Sequence, residues 1–310
     1  MPPMDQSFDL AVIGLGAVGG AALLAAARAG AKAAGIDRLA PPHTLGSTHG
    51  ETRIVRAAIG EGEAYTPFAL RSFELFDQLA GESGETLVTR CGLLVLGSAL
   101  PHATHVPAGF LETTIAAAKT FGIPHEVLDA PSVRARFPAY GCFNADKAYF
   151  EPGAGMAYPE RVVAAQLARA RALGATVRFN EPVIALTRDG DGVAIRTDAG
   201  TVRAARAVLS AGAWTSTFLA EQFATRLTVT RQTLHWFAPP AAHEGDYEPA
   251  RMPVFIWNDL YGFPATVRGG GVKVATESLD AVVRPDDARG AVSRAEIDIV
   301  LPRVRAAFPA

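Results

Sequence analysis

Cysteine is nearly absent from this 310-residue chain: only Cys91 and Cys142 occur, far apart and outside any metal-ligand spacing. That argues against a disulfide framework or a cysteine-based zinc site, and reduced thiols in a cytoplasmic protein are expected. Runs of basic residues are also lacking, and a formal net charge of -2 speaks against nucleic acid or an anionic membrane surface as the main partner. Lysine is scarce beside arginine, and after Lys147 the only one is Lys273. His102 and His105 have a ligand-like interval but no third ligand nearby, so no metal is expected. No Ser-His-Asp set falls at a convincing spacing, and there is no internal repeat. One long apolar run exists, Leu10 to Ala27, yet Asp5 and Asp9 rather than Lys or Arg precede it. It reads as neither signal peptide nor membrane span. With 49% hydrophobic and 19% charged residues, the chain can bury the core of two domains or one large one.

Inside that run lies a pattern with chemical meaning. Leu10 to Ile13 form a short buried-strand segment, Gly14, Gly16 and Gly19 follow at G-x-G-x-x-G spacing, an alanine-rich helix comes next, and a second strand ends at Asp37. This is the order of a dinucleotide-binding unit. Gly14 permits the tight turn, Gly16 carries no Cβ to block a pyrophosphate, and Gly19 allows close helix packing. The helix N-terminus offers N–H groups and partial positive charge to the diphosphate. Asp37 is placed to accept from ribose hydroxyls.

Further along, Pro67 to Ala80 has apolar residues at helical spacing, Glu85 to Gly97 reads as strands, and Phe110 to Phe121 reads as a surface helix. Pro131 to Phe143 reads as turns. A helix starts at Pro159 and is ended by Gly174. Strands are predicted at Thr176–Phe179, Val183–Thr187, Val193–Thr197 and Ala207–Ser210, joined by Asp-Gly and Asp-Ala-Gly turns. From Leu227 the pattern becomes β-rich, at Gln232–Phe237, Val254–Phe263 and Gly271–Thr276, which suggests a second domain with a mostly antiparallel sheet.

The string Gly46-Ser47-Thr48-His49-Gly50-Glu51-Thr52-Arg53-Ile54-Val55-Arg56, followed by Gly60-Glu61-Gly62-Glu63-Ala64-Tyr65, resembles the flavin loop of the monomeric sarcosine oxidase and N-methyltryptophan oxidase family. Phe150-Glu151-Pro152, Gly212-Ala213-Trp214, Arg231-Gln232, Tyr261-Gly262-Phe263-Pro264 and Val272-Lys273 continue the likeness in the family's order, over essentially the whole chain. The resemblance implies an α/β fold: a discontinuous Rossmann-like FAD-binding domain, 1–88 and 150–220, with an interleaved substrate domain, 89–149 and 221–310, on a mostly antiparallel sheet. It implies an FAD-dependent oxidase of secondary amines, N-methyl amino acids such as sarcosine or N-methyltryptophan. A hydride equivalent passes to flavin N5, oxygen is reduced to hydrogen peroxide, and the imine is hydrolysed to aldehyde and amine. The partners would be a small amine and O2, and a monomer is expected.

The resemblance also distributes roles. Besides Gly14, Gly16, Gly19 and Asp37, it assigns cofactor contacts to Ala17, Val18, Arg38, Ser47, Thr48 and Val183. Arg53 and Arg56 lie three apart, so on a helical turn they share a face, with His49 one turn earlier. Spacing alone leaves a solvated basic face open. By resemblance Arg56 clamps the substrate carboxylate with two parallel hydrogen bonds, and Arg53 and His49 sit against the flavin. A lone strand lysine is ordinarily a surface residue. By resemblance Lys273 instead holds a water at flavin N5 and stabilises negative charge on oxygen as it takes its first electron. Tyr261 would offer its hydroxyl or ring to the substrate.

Departures set further expectations. The family's covalent attachment cysteine and its Gly-His-Gly-Phe-Lys loop lie in a C-terminal segment beyond the position matching Ala310, and neither Cys91 nor Cys142 matches the attachment point. Bound FAD is therefore expected to be non-covalent. The form ending at Ala310 is expected to be weakly active or inactive, with a sheet edge and apolar surface uncovered. Ala57 and Ile59 replace a histidine and an aromatic, and Glu277 replaces a histidine four residues after Lys273, favouring a cationic amine. Three alternatives stay open: a flavin dehydrogenase using another acceptor, a nicotinamide dehydrogenase, and an inactive flavoprotein fragment.

Overall fold

The computed structural model describes residues 7–97, 109–144, 147–279, 281–287 and 290–308. His102 and His105 lie outside them. The chain forms two compact units, residues 1–51, 76–87 and 158–229, and residues 52–75, 88–157 and 230–310.

The first unit contains β1 (Ser7–Ile13), α1 (Ala17–Arg28), β2 (Ala33–Ile36), α5 (Pro159–Ala172), β9 (Thr176–Arg178), β10 (Val183–Asp189), β11 (Gly192–Thr197), β12 (Gly200–Leu209) and the short α6 (Glu221–Ala224). Its six-stranded sheet has the order β10-β11-β12-β1-β2-β9. The run from β12 through β1 and β2 to β9 is parallel, while β10, β11 and β12 form an antiparallel meander. Side-chain alternation along β1 decides what each face meets. Val12 packs with Leu23 and Leu24 of α1 and Val163 and Leu167 of α5. Ala11 and Ile13 meet Ile195 and Val202 of the meander.

The second unit contains β3 (Arg53–Val55), the start of α2 (Thr66–Ser83), β4 (Val88–Thr89), β5 (Leu93–Leu96), α3 (Phe110–Thr120), β6 (Glu126–Leu128), α4 (Ala130–Arg136), β7 (Ala148–Glu151), β8 (Gly155–Ala157), β13 (His235–Phe237), β14 (Val254–Trp257), β15 (Leu260–Phe263), β16 (Val272–Thr276) and α7 (Arg294–Ala307). The seven strands of its large sheet run β13-β16-β15-β14-β5-β7-β6. Every neighbouring pair is antiparallel except β14 with β5. One face carries the core: Leu94, Leu96, Phe150, Phe255, Trp257, Val272 and Val274 pack with Val133 of α4 and Val300 and Val304 of α7. A small sheet, β3-β8-β4, completes the unit.

Three expectations are corrected. Arg53 to Arg56 do not form a helical turn, because Arg53–Val55 pairs with Ala157–Gly155 as strand β3. The same pairing places residues 52–75 with the second unit rather than with the nucleotide-binding part. The Pro131–Phe143 stretch holds a helix, α4, and a 3₁₀ turn at Pro138–Tyr140. Asp129 caps α4 by accepting from Ser132 N–H at 2.9 Å, a signal already legible in Asp-Ala-Pro-Ser. Among the described residues no helix is long and apolar enough to cross a membrane.

Candidate functional site

In the first unit the glycine turn is built as a cradle. Gly14 has φ +86°, where L side chains are strained, and a Cβ there would stand 2.5 Å from the Ser210 carbonyl oxygen. A Cβ on Gly19 would overlap the Gly14 carbonyl oxygen. Helix α1 therefore starts directly against the turn, and Ser210 ties that turn to the end of β12 by donating to the carbonyls of Ile13 at 3.0 Å and Gly14 at 2.8 Å. Gly16 differs: among the described residues the only atom a Cβ would approach is Thr48 Oγ1, at 3.3 Å. Its open side is where a phosphate oxygen can come close to backbone. Ala17 N–H donates to Thr48 Oγ1 at 3.2 Å, so the loop carrying Ser47 and Thr48 lies at the helix N-terminus, where Val18 is exposed.

Asp37 is only 7% exposed. Its Oδ2 accepts from Leu15 N–H at 2.7 Å and its Oδ1 from Leu39 N–H at 2.8 Å. A carboxylate has about four lone-pair sites, so acceptor capacity remains for ribose hydroxyls. The exposed Arg38 places its guanidinium 4.9 Å from the Trp214 ring centroid. Val183 opens β10 opposite Thr197. His49 precedes two residues with left-handed φ, Gly50 at 94° and Glu51 at 69°, whose N–H groups both donate to Glu160 Oε1 of α5. These residues fit a dinucleotide: a cradle a Cβ would fill, a helix N-terminus facing it, and a buried acid beyond the second strand.

In the second unit the strand register gathers the other candidates. Phe263 and Trp236 are the cross-strand partners of Lys273, and Tyr261 is the partner of Ala275. All project from the face opposite the core. Lys273, 2% exposed, donates from Nζ to the Thr52 carbonyl at 2.8 Å and to Thr52 Oγ1 at 3.3 Å. The Phe263 ring lies 4.6 Å from the ammonium. Farther along the same face Glu151 is fully buried and accepts from Ala57 N–H at 2.7 Å, Ala58 N–H at 3.2 Å and Tyr149 OH at 2.8 Å. Lys273 and Glu151 thus fasten the segment from Thr52 to Ala58 at both ends. Burial first, and then the Glu151 charge, push the Tyr149 hydroxyl far above its usual range, so it is a fixed donor. Burial also raises Tyr261; the Arg53 charge opposes this shift and the Glu277 charge adds to it. That places Arg53, Tyr261 and Glu277 in one electrostatic neighbourhood.

Arg53 donates to the Thr52 carbonyl at 2.8 Å. Arg56 donates to the Ala58 carbonyl at 2.9 Å and to both oxygens of Glu61 at 2.5 Å, with the Phe110 ring 5.5 Å away. The guanidinium assigned to a substrate carboxylate therefore already holds one from its own chain. Thr52, Glu151 and Tyr149 were not picked out as site residues by sequence reasoning. Thr52 and Glu151 sit inside strings that were noticed, but their partners lie far along the chain. Among the described residues no group of His, Cys, Asp or Glu could hold a metal ion.

A nucleotide cradle on an α/β sheet, with a second unit on a mostly antiparallel sheet, defines a class, and residues 9–310 match the family model described as FAD dependent oxidoreductase. The chain belongs to that family, and its cofactor is FAD. It is 34% identical over 313 residues to the monomeric sarcosine oxidase of Streptomyces avermitilis, covering 99% of this chain and 79% of that protein. It is 36% identical over 262 residues to the N-methyl-L-tryptophan oxidase of Yersinia pestis, covering 84% of this chain and 68% of that one. Among solved structures, L-proline dehydrogenase from P. horikoshii superposes with a TM-score of 0.77 at 18% identity, and glycine oxidase from Geobacillus kaustophilus with 0.72 at 19%. Each match covers 98% of this chain and 78% of the other. The likeness to these two is one of fold.

Proposed function

We propose that this FAD-dependent oxidoreductase oxidises the CH–NH bond of secondary amines, N-methyl amino acids in the first place, with O2 as electron acceptor. The observation that carries this reading is the buried Lys273 ammonium, held on Thr52 on the same sheet face as Tyr261 and Phe263. It is joined by identity above 30% to two oxidases of N-methylated amino acids. Bound FAD supplies the hydride acceptor and the route by which electrons reach oxygen as hydrogen peroxide; the imine product is hydrolysed to aldehyde and amine. Ala17, Val18 and the glycine turn hold the diphosphate, with Arg38, Ser47, Thr48 and Val183 completing the cofactor contacts. Arg56 orients the substrate by its carboxylate, which must displace Glu61. Tyr261 borders the substrate, Arg53 and His49 sit against the flavin, and Arg53 favours negative charge on the reduced cofactor. The protein works as a monomer.

Sarcosine, N-methyltryptophan and their unmethylated parents should be supplied to the flavin-loaded protein, with oxygen and peroxide followed together. Equimolar oxygen uptake and peroxide release with the N-methylated compounds is the expected result. Reduction of the flavin with little oxygen uptake would replace the oxidase reading by a dehydrogenase.

A further inference from the structure

We propose that Glu181 is a second carboxylate of the nucleotide site, accepting a hydrogen bond from the adenosine end of FAD beside Asp37. The inference rests on FAD binding in the Gly14–Asp37 cradle and adds a residue that no motif marks. Strands β2 and β9 are parallel and end together, Ile36 opposite Arg178. Asp37 and Glu181 both lie beyond those carboxyl ends, the edge at which open α/β sheets bind ligands. The backbone joins them directly: Asp37 N–H donates to the Arg178 carbonyl and Glu181 N–H to the Asp37 carbonyl, each at 3.0 Å. Asn180, at φ +55°, makes the turn that brings Glu181 back onto Asp37.

The side chain has an unusual deficit. Glu181 is 7% exposed, and its Oε2 pairs with Arg178 Nε at 2.7 Å. Oε1 is buried and has no hydrogen-bond partner among the described residues. A buried acceptor without a donor is costly, and a donor arriving with the ligand removes the cost. Each Asp37 oxygen already accepts one backbone N–H, which leaves it fewer lone pairs than adenosine has donors to place, two ribose hydroxyls and the adenine amino group, so a second acceptor is useful. The ligand chemistry is therefore a neutral adenosine donor, and a 2'-phosphate would meet two carboxylates.

Calorimetric titration of the flavin-free 310-residue chain with FAD and with ADP tests this in wild type, Glu181→Ala and Glu181→Gln. A hydrogen bond to a charged group predicts roughly tenfold to hundredfold weaker binding of both ligands by the alanine variant, with a smaller loss for glutamine. Inosine diphosphate and the 2'- and 3'-deoxy forms of ADP identify the donor. The analogue lacking it binds wild type more weakly by the same factor and is no longer distinguished from ADP by Glu181→Ala. If Glu181→Ala binds ADP and FAD as tightly as wild type, no ligand donor meets Oε1 and the inference fails while FAD binding stands. Should wild type bind neither ligand, both fail. Circular dichroism checks folding, and the glutamine variant, which keeps the side-chain volume, carries the test if the alanine variant unfolds.

Discussion

Replacing Lys273 with methionine is expected to slow reoxidation of the reduced protein-bound flavin by O2 about a thousandfold, with a far smaller effect on flavin reduction by substrate. One unit charge acting across about 4 Å at an effective dielectric of about 20 is worth roughly 4 kcal/mol. That converts to about three orders of magnitude in rate. Methionine keeps the length and apolar stem, while the ammonium and its approach to the Phe263 and Trp236 rings are lost. Part of any effect must come from Thr52, whose carbonyl and hydroxyl take the Nζ donors and would be left without them. Lys273→Arg separates the two contributions: it restores a charge but not a compact one, and partial recovery is expected. Anaerobic reduction followed by mixing with oxygen in a stopped-flow instrument measures both half-reactions. A methionine variant that reoxidises at the wild-type rate would leave Lys273 a structural anchor for the segment from Thr52 onward and favour an acceptor other than oxygen.

The second large effect is on stability, away from the proposed chemistry. Asp259, in the turn between β14 and β15, accepts from Arg303 of α7 at 2.8 Å, and the two side chains are 2% and 5% exposed. Removing one partner leaves a buried charge uncompensated, so Asp259→Ala is expected to cost about 3–5 kcal/mol. The double replacement Asp259→Leu with Arg303→Met is expected to recover most of that loss, since an apolar pair of similar volume avoids desolvating two charges. Arg203–Asp189, at a similar 2.9 Å but with both side chains about half exposed, is the control; Arg203→Ala should cost less than about 1 kcal/mol. Denaturant midpoints for the four proteins decide this. Equal losses for Asp259→Ala and Arg203→Ala would mean the α7 pair is not buried in solution.

The contrast between local and distant order explains what could be read in advance. The glycine turn, α1, β2 and Asp37 were legible because each is specified by neighbours a few residues away. Gly14 takes a left-handed φ and Gly19 meets the turn it follows. The meander was legible through its Asp-Gly turns. Arg53–Arg56 misled for the opposite reason. Its strand conformation is set by β8, about a hundred residues away, and no local spacing carries that information. The segment's ties to Lys273 and Glu151 are equally distant, as is the pairing that moves residues 52–75 into the second unit. Helix α4 is the exception: its Asp129 cap and Pro131 are local signals, but proline suits a turn as well as the first turn of a helix. Glu61 belongs to a motif that does not specify its grip on Arg56, which only the folded chain shows. The same holds for the orphaned oxygen of Glu181.

Titration of the purified flavin-free chain with FAD, followed by absorbance and heat, tests the nucleotide cradle most directly. Saturable one-to-one binding with a yellow protein is the expected outcome. Folded protein that stays colourless in excess FAD and shows no heat of association would contradict it.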